Sequence, residues 1–116
     1  MYNQHQHIKL DYLELMAGDD PKIRQTLLEL LLSDLRTELP RMRDLFEAED
    51  WAELYRSAHK MKSTLDYSGN EAMQQANLNI LSHSGDQHDP AEVGRALQQL
   101  EALSIAVLVE LEAIIQ

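Results

Sequence analysis

The stretch IRQTLLELLLSDLRTELPRMRDL, residues 23–45, repeats apolar side chains at every third or fourth position. These positions are Ile23, Leu27, Leu31, Leu35, Leu39, Met42 and Leu45. Such spacing is typical of an α-helix that buries one face. The phase continues through Pro40, although proline inside a regular helix costs about 3 kcal/mol. We therefore predict one long, kinked helix, and a break into two helices is the competing interpretation.

Start and stop signals before this stretch predict a short first helix. The helix opens at Asp11 and stops at Gly18. Asp20 is then a suitable N-cap, with Pro21 at the first position of the long helix. The long helix is therefore the second of the chain.

Three more helices are predicted after residue 45. Asp50 is an N-cap with Glu53 in the capping-box position, and this third helix ends near Gly69. A fourth helix covers about residues 71–82, and the fifth starts near Pro90 after a loop rich in turn residues. The buried stripe of the third helix comprises Trp51, Leu54, Ala58, Met61 and Leu65. That of the fifth comprises Val93, Leu97, Leu100, Val107, Leu111 and Ile114.

Composition and length favour one helical domain. Hydrophobic residues make up 44% of the 116 residues but aromatic residues only 5%, which suits packed helices better than a sheet. Four amphipathic helices with short loops can bury their stripes only against one another. We predict an all-α fold, an antiparallel up-and-down four-helix bundle with a short additional N-terminal helix. Residues 1–9 are a polar lead-in, and residues 10–116 form the bundle domain.

Charge and composition exclude several classes of function. The formal net charge of −10 repels a phosphate backbone, so no nucleic-acid partner is expected. The chain has no cysteine, which excludes thiol catalysis and thiolate metal sites and fits a reducing compartment. No apolar run approaches the roughly 20 residues of a membrane span, and the first residues do not resemble a signal peptide. We expect a cytoplasmic protein without membrane insertion.

One histidine of the third helix falls outside the buried stripe. At 100° per residue, His59 lies on the solvent side. A surface imidazole is mostly neutral at pH 7, and its ring nitrogen can then accept a phosphoryl group. Helix geometry makes its neighbours Tyr55, Lys62, Ser63 and Asp66. A histidine and lysines on a surface helix are commonplace, so this pattern alone leaves an ordinary solvated face open.

The segment AHKMKSTLDYSG, residues 58–69, resembles the signature of histidine-containing phosphotransfer (HPt) domains of bacterial phosphorelays. That signature is alanine, histidine, any residue, an apolar residue and lysine. Residues 10–62 are similar along their length to the first half of the family, including GDDP and the acid–tryptophan start of the histidine helix. The remainder is similar only in its pattern of helices. A collinear resemblance of this length is more specific than the short motif.

The resemblance implies roles for individual residues. His59 matches the phosphorylated histidine, and Lys62 matches the lysine that stabilises its phosphoryl group. Gly69 matches the glycine that follows the helix. Ser63 stands where the family usually has glycine and could restrict the approach of a partner's loop. Asp66 opposes the added negative charge and could tune transfer or partner choice.

The resemblance also implies a function in two-component signalling. HPt domains relay phosphoryl groups between the aspartates of receiver domains and are not kinases. This chain has no glycine-rich phosphate loop for ATP, so we expect a phosphoprotein without autokinase activity. The expected partners are response-regulator receiver domains and a hybrid sensor histidine kinase, which dock weakly on the second and third helices. No cofactor of its own is expected, since Mg²⁺ belongs to the partner receiver domain.

Three alternatives remain open on the sequence. The bundle could be an interaction adaptor, or a degenerate HPt domain in which Ser63 and Asp66 abolish transfer. A metal site is a weaker hypothesis, because the available histidines lack further ligands at fixed spacing. These histidines are His5, His7, His83 and His88, with Asp86 and Asp89 beside the last two. A monomer is expected, although Leu28, Leu30 and Leu32 leave the second helix apolar beyond one stripe.

Overall fold

The computed structural model describes residues 6–115, and this part of the chain is helical without strands. Its elements are α1 Asp11–Ala17, α2 Pro21–Glu47, α3 Trp51–Asp66, α4 Glu71–His83 and α5 Pro90–Ile115. The predicted all-α fold is confirmed, and the predicted starts at residues 11, 21, 71 and 90 agree with the structure.

The four longer helices enclose one aliphatic core. α2 packs against α3 and α5, α4 packs against the same two helices, and α1 lies on α2. The predicted stripes of α3 and α5 are buried or half-buried along their whole length. The prediction was wrong at Ile23, whose side chain is 45% exposed. Ile23 stands in the first turn of α2, where no neighbouring helix covers it.

α2 is a single helix that contains Pro40, so the one-helix interpretation is confirmed. Its start uses the predicted signals. The Asp20 carboxylate accepts hydrogen bonds from the backbone N–H of Lys22 at 2.9 Å and of Ile23 at 3.4 Å. Pro21 occupies the first turn, where its missing N–H has no intrahelical partner to lose.

The start of α3 departs from a full capping box. The Asp50 carboxylate accepts from the backbone N–H of Glu53 at 3.3 Å, as predicted. The Glu53 carboxylate does not return to the Asp50 N–H, which donates instead to the Leu45 carbonyl at 2.9 Å. Glu53 pairs with the guanidinium groups of Arg41 and Arg56. The side chains of α2 and α3 therefore compete successfully for the carboxylate that a capping box needs.

The described part of the lead-in packs on the bundle. Ile8 is 1% exposed and belongs to the core. The carboxylate of Glu110 on α5 accepts from the backbone N–H groups of residues 6–8 at 3.1–3.2 Å. This segment therefore crosses the bundle end instead of leaving it. The domain boundary at residue 10 stays a prediction.

The predicted leucine surplus of α2 is smaller than the sequence indicates. Leu28 is buried, Leu32 is half-buried, and only Leu30 is exposed. On α5, Ile105 and Val109 are also exposed. Between residues 6 and 115, no helix is both long enough and apolar enough to span a bilayer.

Candidate functional site

α3 divides into a buried and an exposed face. Its buried residues are Leu54, Ser57, Ala58, Met61, Thr64 and Leu65. The residues singled out from the sequence, Tyr55, His59, Lys62, Ser63 and Asp66, are all exposed. Helix periodicity therefore gathers them on one solvent-facing side, where a partner protein can reach the imidazole.

The ring of Tyr55 lies beside that of His59. The two ring centroids are 6.3 Å apart, and the ring planes differ by 22°. The residues are four positions apart, so Tyr55 covers the imidazole from the preceding turn of α3. Among the described residues, no side chain or backbone group forms a hydrogen bond with the His59 ring. Its nitrogens are therefore available to solvent or to a partner.

The two lysines next to His59 have different surroundings. The Lys60 ammonium lies 3.2 Å from the Glu38 carboxylate on α2. Ser57 also donates to Glu38, at 3.0 Å, and Arg41 lies 3.9 Å away. Burial alone raises the pKa of Glu38, but the hydrogen bonds from Ser57 and Lys60 and the charges of Lys60 and Arg41 outweigh it and lower that pKa. Lys60 is therefore engaged in the α2–α3 contact.

Lys62 has no ion pair within residues 6–115. Its side chain lines a shallow groove between α3 and α4 together with Asp66, Asn77 and Leu78. Asp66 and Lys62 are not within ion-pair distance of each other, although they are one turn apart. Lys62 is therefore the cation of α3 that remains available to a group bound at His59.

α4 fixes the backbone of α3 at the histidine. The Asn77 amide donates to the carbonyl of Ala58 at 2.8 Å, and the Gln74 amide donates to the carbonyl of Leu65 at 3.2 Å. Asn77 is buried, and its own amide oxygen has no hydrogen-bond partner in the described part of the chain. These bonds brace the residue immediately before His59 against the neighbouring helix.

Sequence reasoning missed this α4 contribution. Docking residues were expected on α2 and α3, whereas Asn77 and the exposed Leu78 border Lys62 from α4. It also missed Asp34, whose carboxylate accepts a buried hydrogen bond from the Thr64 hydroxyl at 2.8 Å. One signal was present, because Asp34 and Asn77 are polar residues at positions where the helix period requires burial.

Gly69 serves the chain's own packing. Its φ is +62°, and a Cβ placed there would lie 2.3 Å from the carbonyl oxygen of Lys9. Lys9 in turn donates its N–H to the Ser68 carbonyl at 3.0 Å. Ten residues of mostly helical chain separate Gly69 from His59, about 15 Å along the axis. The structure therefore does not bring Gly69 to the histidine.

The other histidines do not assemble a metal site in the described part of the chain. No group of three or more His, Cys, Asp or Glu side chains converges there. His88 stacks on Trp51, with centroids 4.8 Å apart, and His7 lies 4.0 Å from Glu110. His5 lies outside the described residues.

The family model for the Hpt domain matches residues 26–108, which is well over half of the chain and includes all of α3 and α4. The chain belongs to the Hpt domain family. The resemblance noted from the sequence is thus confirmed, and the site on α3 lies within the match. No curated protein matches the chain, and no solved structure matches it. Hpt domains are phosphocarrier modules of two-component phosphorelays, and they interact with receiver domains.

Proposed function

We propose that this Hpt domain relays phosphoryl groups between receiver-domain aspartates through His59. One observation carries the proposal. An exposed imidazole without hydrogen-bond partners in the described chain stands one turn before a lysine without an ion pair, inside the family match. A nucleophile needs both a free lone pair and room for in-line approach, and this position provides them.

In the proposed step, a ring nitrogen of His59, the outer Nε2, attacks the phosphorus of the partner's aspartyl phosphate. An N–P bond forms while the acyl P–O bond breaks, and the aspartate carboxylate leaves with the bonding electrons. The proton on Nδ1 stays on the ring throughout, so the product is an Nδ1-protonated phosphohistidine, and breaking its N–P bond regenerates the neutral imidazole. The next receiver aspartate reverses the step. The expected Mg²⁺ belongs to the receiver.

Lys62 is proposed to stabilise the phosphoryl group, which adds about 1.5–2 negative charges. Asp66 lies one turn further along and opposes this charge, so it is proposed to tune the transfer. Ser63 is exposed and small beside the imidazole. Its hydroxymethyl group sets how closely a receiver loop approaches.

The remaining proposals follow from this role. Response-regulator receiver domains and a hybrid sensor kinase are the proposed partners. We also propose a cytoplasmic monomer that docks transiently, because a carrier must release one partner before it meets the next. We also propose an antiparallel up-and-down order for the four longer helices, supported by the short connections between them. No autokinase activity is proposed.

The test uses a receiver domain phosphorylated on its aspartate with labelled phosphate. Receivers encoded in the same genome are screened for transfer to the protein. The expected product is a label on the protein that is acid-labile and base-stable, as expected of phosphohistidine. His59→Gln should abolish the label, whereas His7→Gln, which changes an exposed histidine outside α3, should retain it. Label that persists in His59→Gln would refute the assignment.

The same experiment separates the alternatives. An interaction adaptor binds receivers without acquiring label, and its His59→Gln variant still binds them. A degenerate Hpt domain binds but remains unlabelled until Asp66→Ala or Ser63→Gly restores transfer. Labelling of the unmodified chain therefore excludes both alternatives.

A further inference from the structure

A wide cleft of about 870 Å³ opens where α2 meets α3 and the α4–α5 connection crosses them. Trp51 and Tyr55 of α3 contribute its aromatic lining, and Glu49 and Asp86 contribute carboxylates. The ring of His88 stacks on Trp51 with an interplanar angle of 18°, which ties the connection to α3. The cleft therefore combines aromatic surface with an acidic rim.

The negative charge of this cleft is not compensated by its own residues. Arg56 is the basic residue in the lining, and its guanidinium is paired with Glu53. The Asp50 carboxylate is used as the N-cap of α3. Glu49 and Asp86 form no ion pair within residues 6–115. Two carboxylates are thus left to attract a cation from outside.

Glu49 stands at a position that favours glycine. Its φ is +57°, and no other non-glycine residue of the described chain has a positive φ. The N–H of Glu49 donates to the Phe46 carbonyl and that of Asp50 to the Leu45 carbonyl, the two bonds of a Schellman motif at the end of α2. A side chain in this left-handed conformation destabilises the fold. The Glu49 carboxylate therefore lies at the rim of the cleft at a backbone position where glycine would be more stable.

Ser84 places a buried hydroxyl in the wall of the cleft. Its side chain is 1% exposed, and its hydroxyl has no hydrogen-bond partner within residues 6–115. Buried hydroxyl groups are normally paired, so an unpaired one beside a cleft invites a donor or acceptor from a bound group.

The cleft adjoins the proposed phosphotransfer site. Tyr55 lines it and also stacks on His59. The axial distance from Trp51 to His59 is about 12 Å, eight residues of helix. A receiver domain seated on His59 therefore reaches the mouth of the cleft without any change in the fold.

The geometry points to this cleft as the seat of an arginine side chain of the receiver domain that docks on His59, an inference that rests on the proposed function. A guanidinium group offers five N–H donors to the carboxylates of Glu49 and Asp86 and to the Ser84 hydroxyl. Its planar face can also lie against the Tyr55 ring, which a compact ammonium group matches less well. The contact would set which receivers bind.

The first experiment tests binding to the cleft in the whole protein, without a receiver domain. Trp51 is the only tryptophan of the chain, so its fluorescence reports this site alone. Nα-acetyl-L-arginine amide should change the Trp51 emission in a saturable way. The change should be about fivefold larger than with the neutral isostere Nα-acetyl-L-citrulline amide, because hydrogen bonds from a charged guanidinium to carboxylates are stronger than those from a neutral group. His59→Gln should respond equally. Asp86→Asn and Glu49→Gly should lose the difference, and Asp19→Asn, about 40 Å away along α2, should keep it.

The second experiment uses a receiver that labels the protein. Glu49→Gly and Asp86→Asn should each raise KM for the phosphorylated receiver by about fivefold to tenfold with kcat unchanged, and high salt should reduce the effect. Glu49→Gly also relieves the positive φ, so its Tm should not fall, and unfolding cannot explain the loss.

Equal responses to the arginine and citrulline amides would overturn the inference. So would an unchanged KM in both variants, because the cation would then come from a source other than the receiver. If His59 is never labelled, the fluorescence titration still measures the cleft, so failure of the proposed function and failure of the cleft are distinguishable.

Discussion

Exchanging the two lysines near His59, one at a time, tests the electrostatic assignment directly. Lys62→Gln and Lys60→Gln each remove one ammonium group and keep a polar side chain of similar reach. Lys62 has no ion pair in the described structure, whereas Lys60 is paired with Glu38 at 3.2 Å. The two variants therefore make the same change in net charge, but Lys62→Gln removes an unpaired charge and Lys60→Gln removes a charge that is paired with Glu38.

The expected magnitude follows from helix geometry. Residues three apart on a helix have Cβ atoms about 5–6 Å apart, so a phosphoryl group on His59 lies within reach of Lys62. One ammonium attracts a doubly charged phosphoryl group at about 6 Å by about 1.4 kcal/mol in bulk water, more in a partly desolvated complex and less in salt. We expect Lys62→Gln to slow transfer by roughly 5- to 30-fold, which corresponds to about 1–2 kcal/mol.

Lys60→Gln should change transfer by less than about twofold, because Glu38 already neutralises the lysine's charge. It should instead lower the free energy of unfolding by up to about 1 kcal/mol, since the Lys60 side chain of this pair is exposed. The assay follows label from a phosphorylated receiver to each variant, with urea unfolding of the same samples. Equal slowing by the two variants, or no slowing in Lys62→Gln, would refute the assignment of Lys62.

Three further predictions concern the parts of the fold that support the site. Gly69→Ala should destabilise the protein by about 3 kcal/mol in urea unfolding, because the strain of the positive φ and the clash with Lys9 add. Gly18→Ala, which has open space around it, should cost only the backbone strain of about 1–2 kcal/mol. Equal losses in the two variants would contradict the clash. Asn77→Leu should be about 2 kcal/mol more stable than Asn77→Ala, because both variants lose the amide but only leucine fills the space that it occupied; calorimetry decides the order, and equal stabilities would contradict it. The lowered pKa of Glu38 gives stability that is present above the unfolded value of 4.5 and is lost as pH falls through the folded value. Glu38→Gln should therefore lose less stability than the unmodified protein between about pH 6 and pH 3, and an unchanged pH profile would exclude this role.

Much of the fold could be predicted because it depends on local signals. The apolar phase of α2 continues through Pro40, and the structure contains one helix there. Asp20 and Asp50 act as N-caps at the positions where their side chains can reach free N–H groups. His59 could be assigned to the exposed face because the period of a helix fixes which residues share a side.

The rest depends on contacts between helices, which periodicity does not contain. Glu53 satisfies the capping-box pattern, yet its carboxylate binds Arg56 of the same helix and Arg41 of α2. The contact with Arg41 depends on how α2 and α3 pack. The engagement of Lys60 with Glu38 likewise depends on the α2–α3 packing. The positive φ of Glu49 was invisible for another reason, since a glutamate in the sequence gives no sign of a left-handed conformation.

The contacts around His59 separate the residues that position the proposed nucleophile from the cleft that is proposed to select its partner. The Ser57 hydroxyl donates to Glu38 of α2, and the Ala58 carbonyl accepts from Asn77 of α4, so two consecutive residues just before the histidine are held by two different helices. The backbone is thus positioned by the protein's own bundle, while the imbalance of charge that would recognise a receiver lies in the cleft beyond Tyr55. A change at Asn77 should therefore alter transfer with every receiver to a similar extent, because each attack starts from the same backbone position. A change in the cleft should alter only the KM of receivers that carry the matching cation.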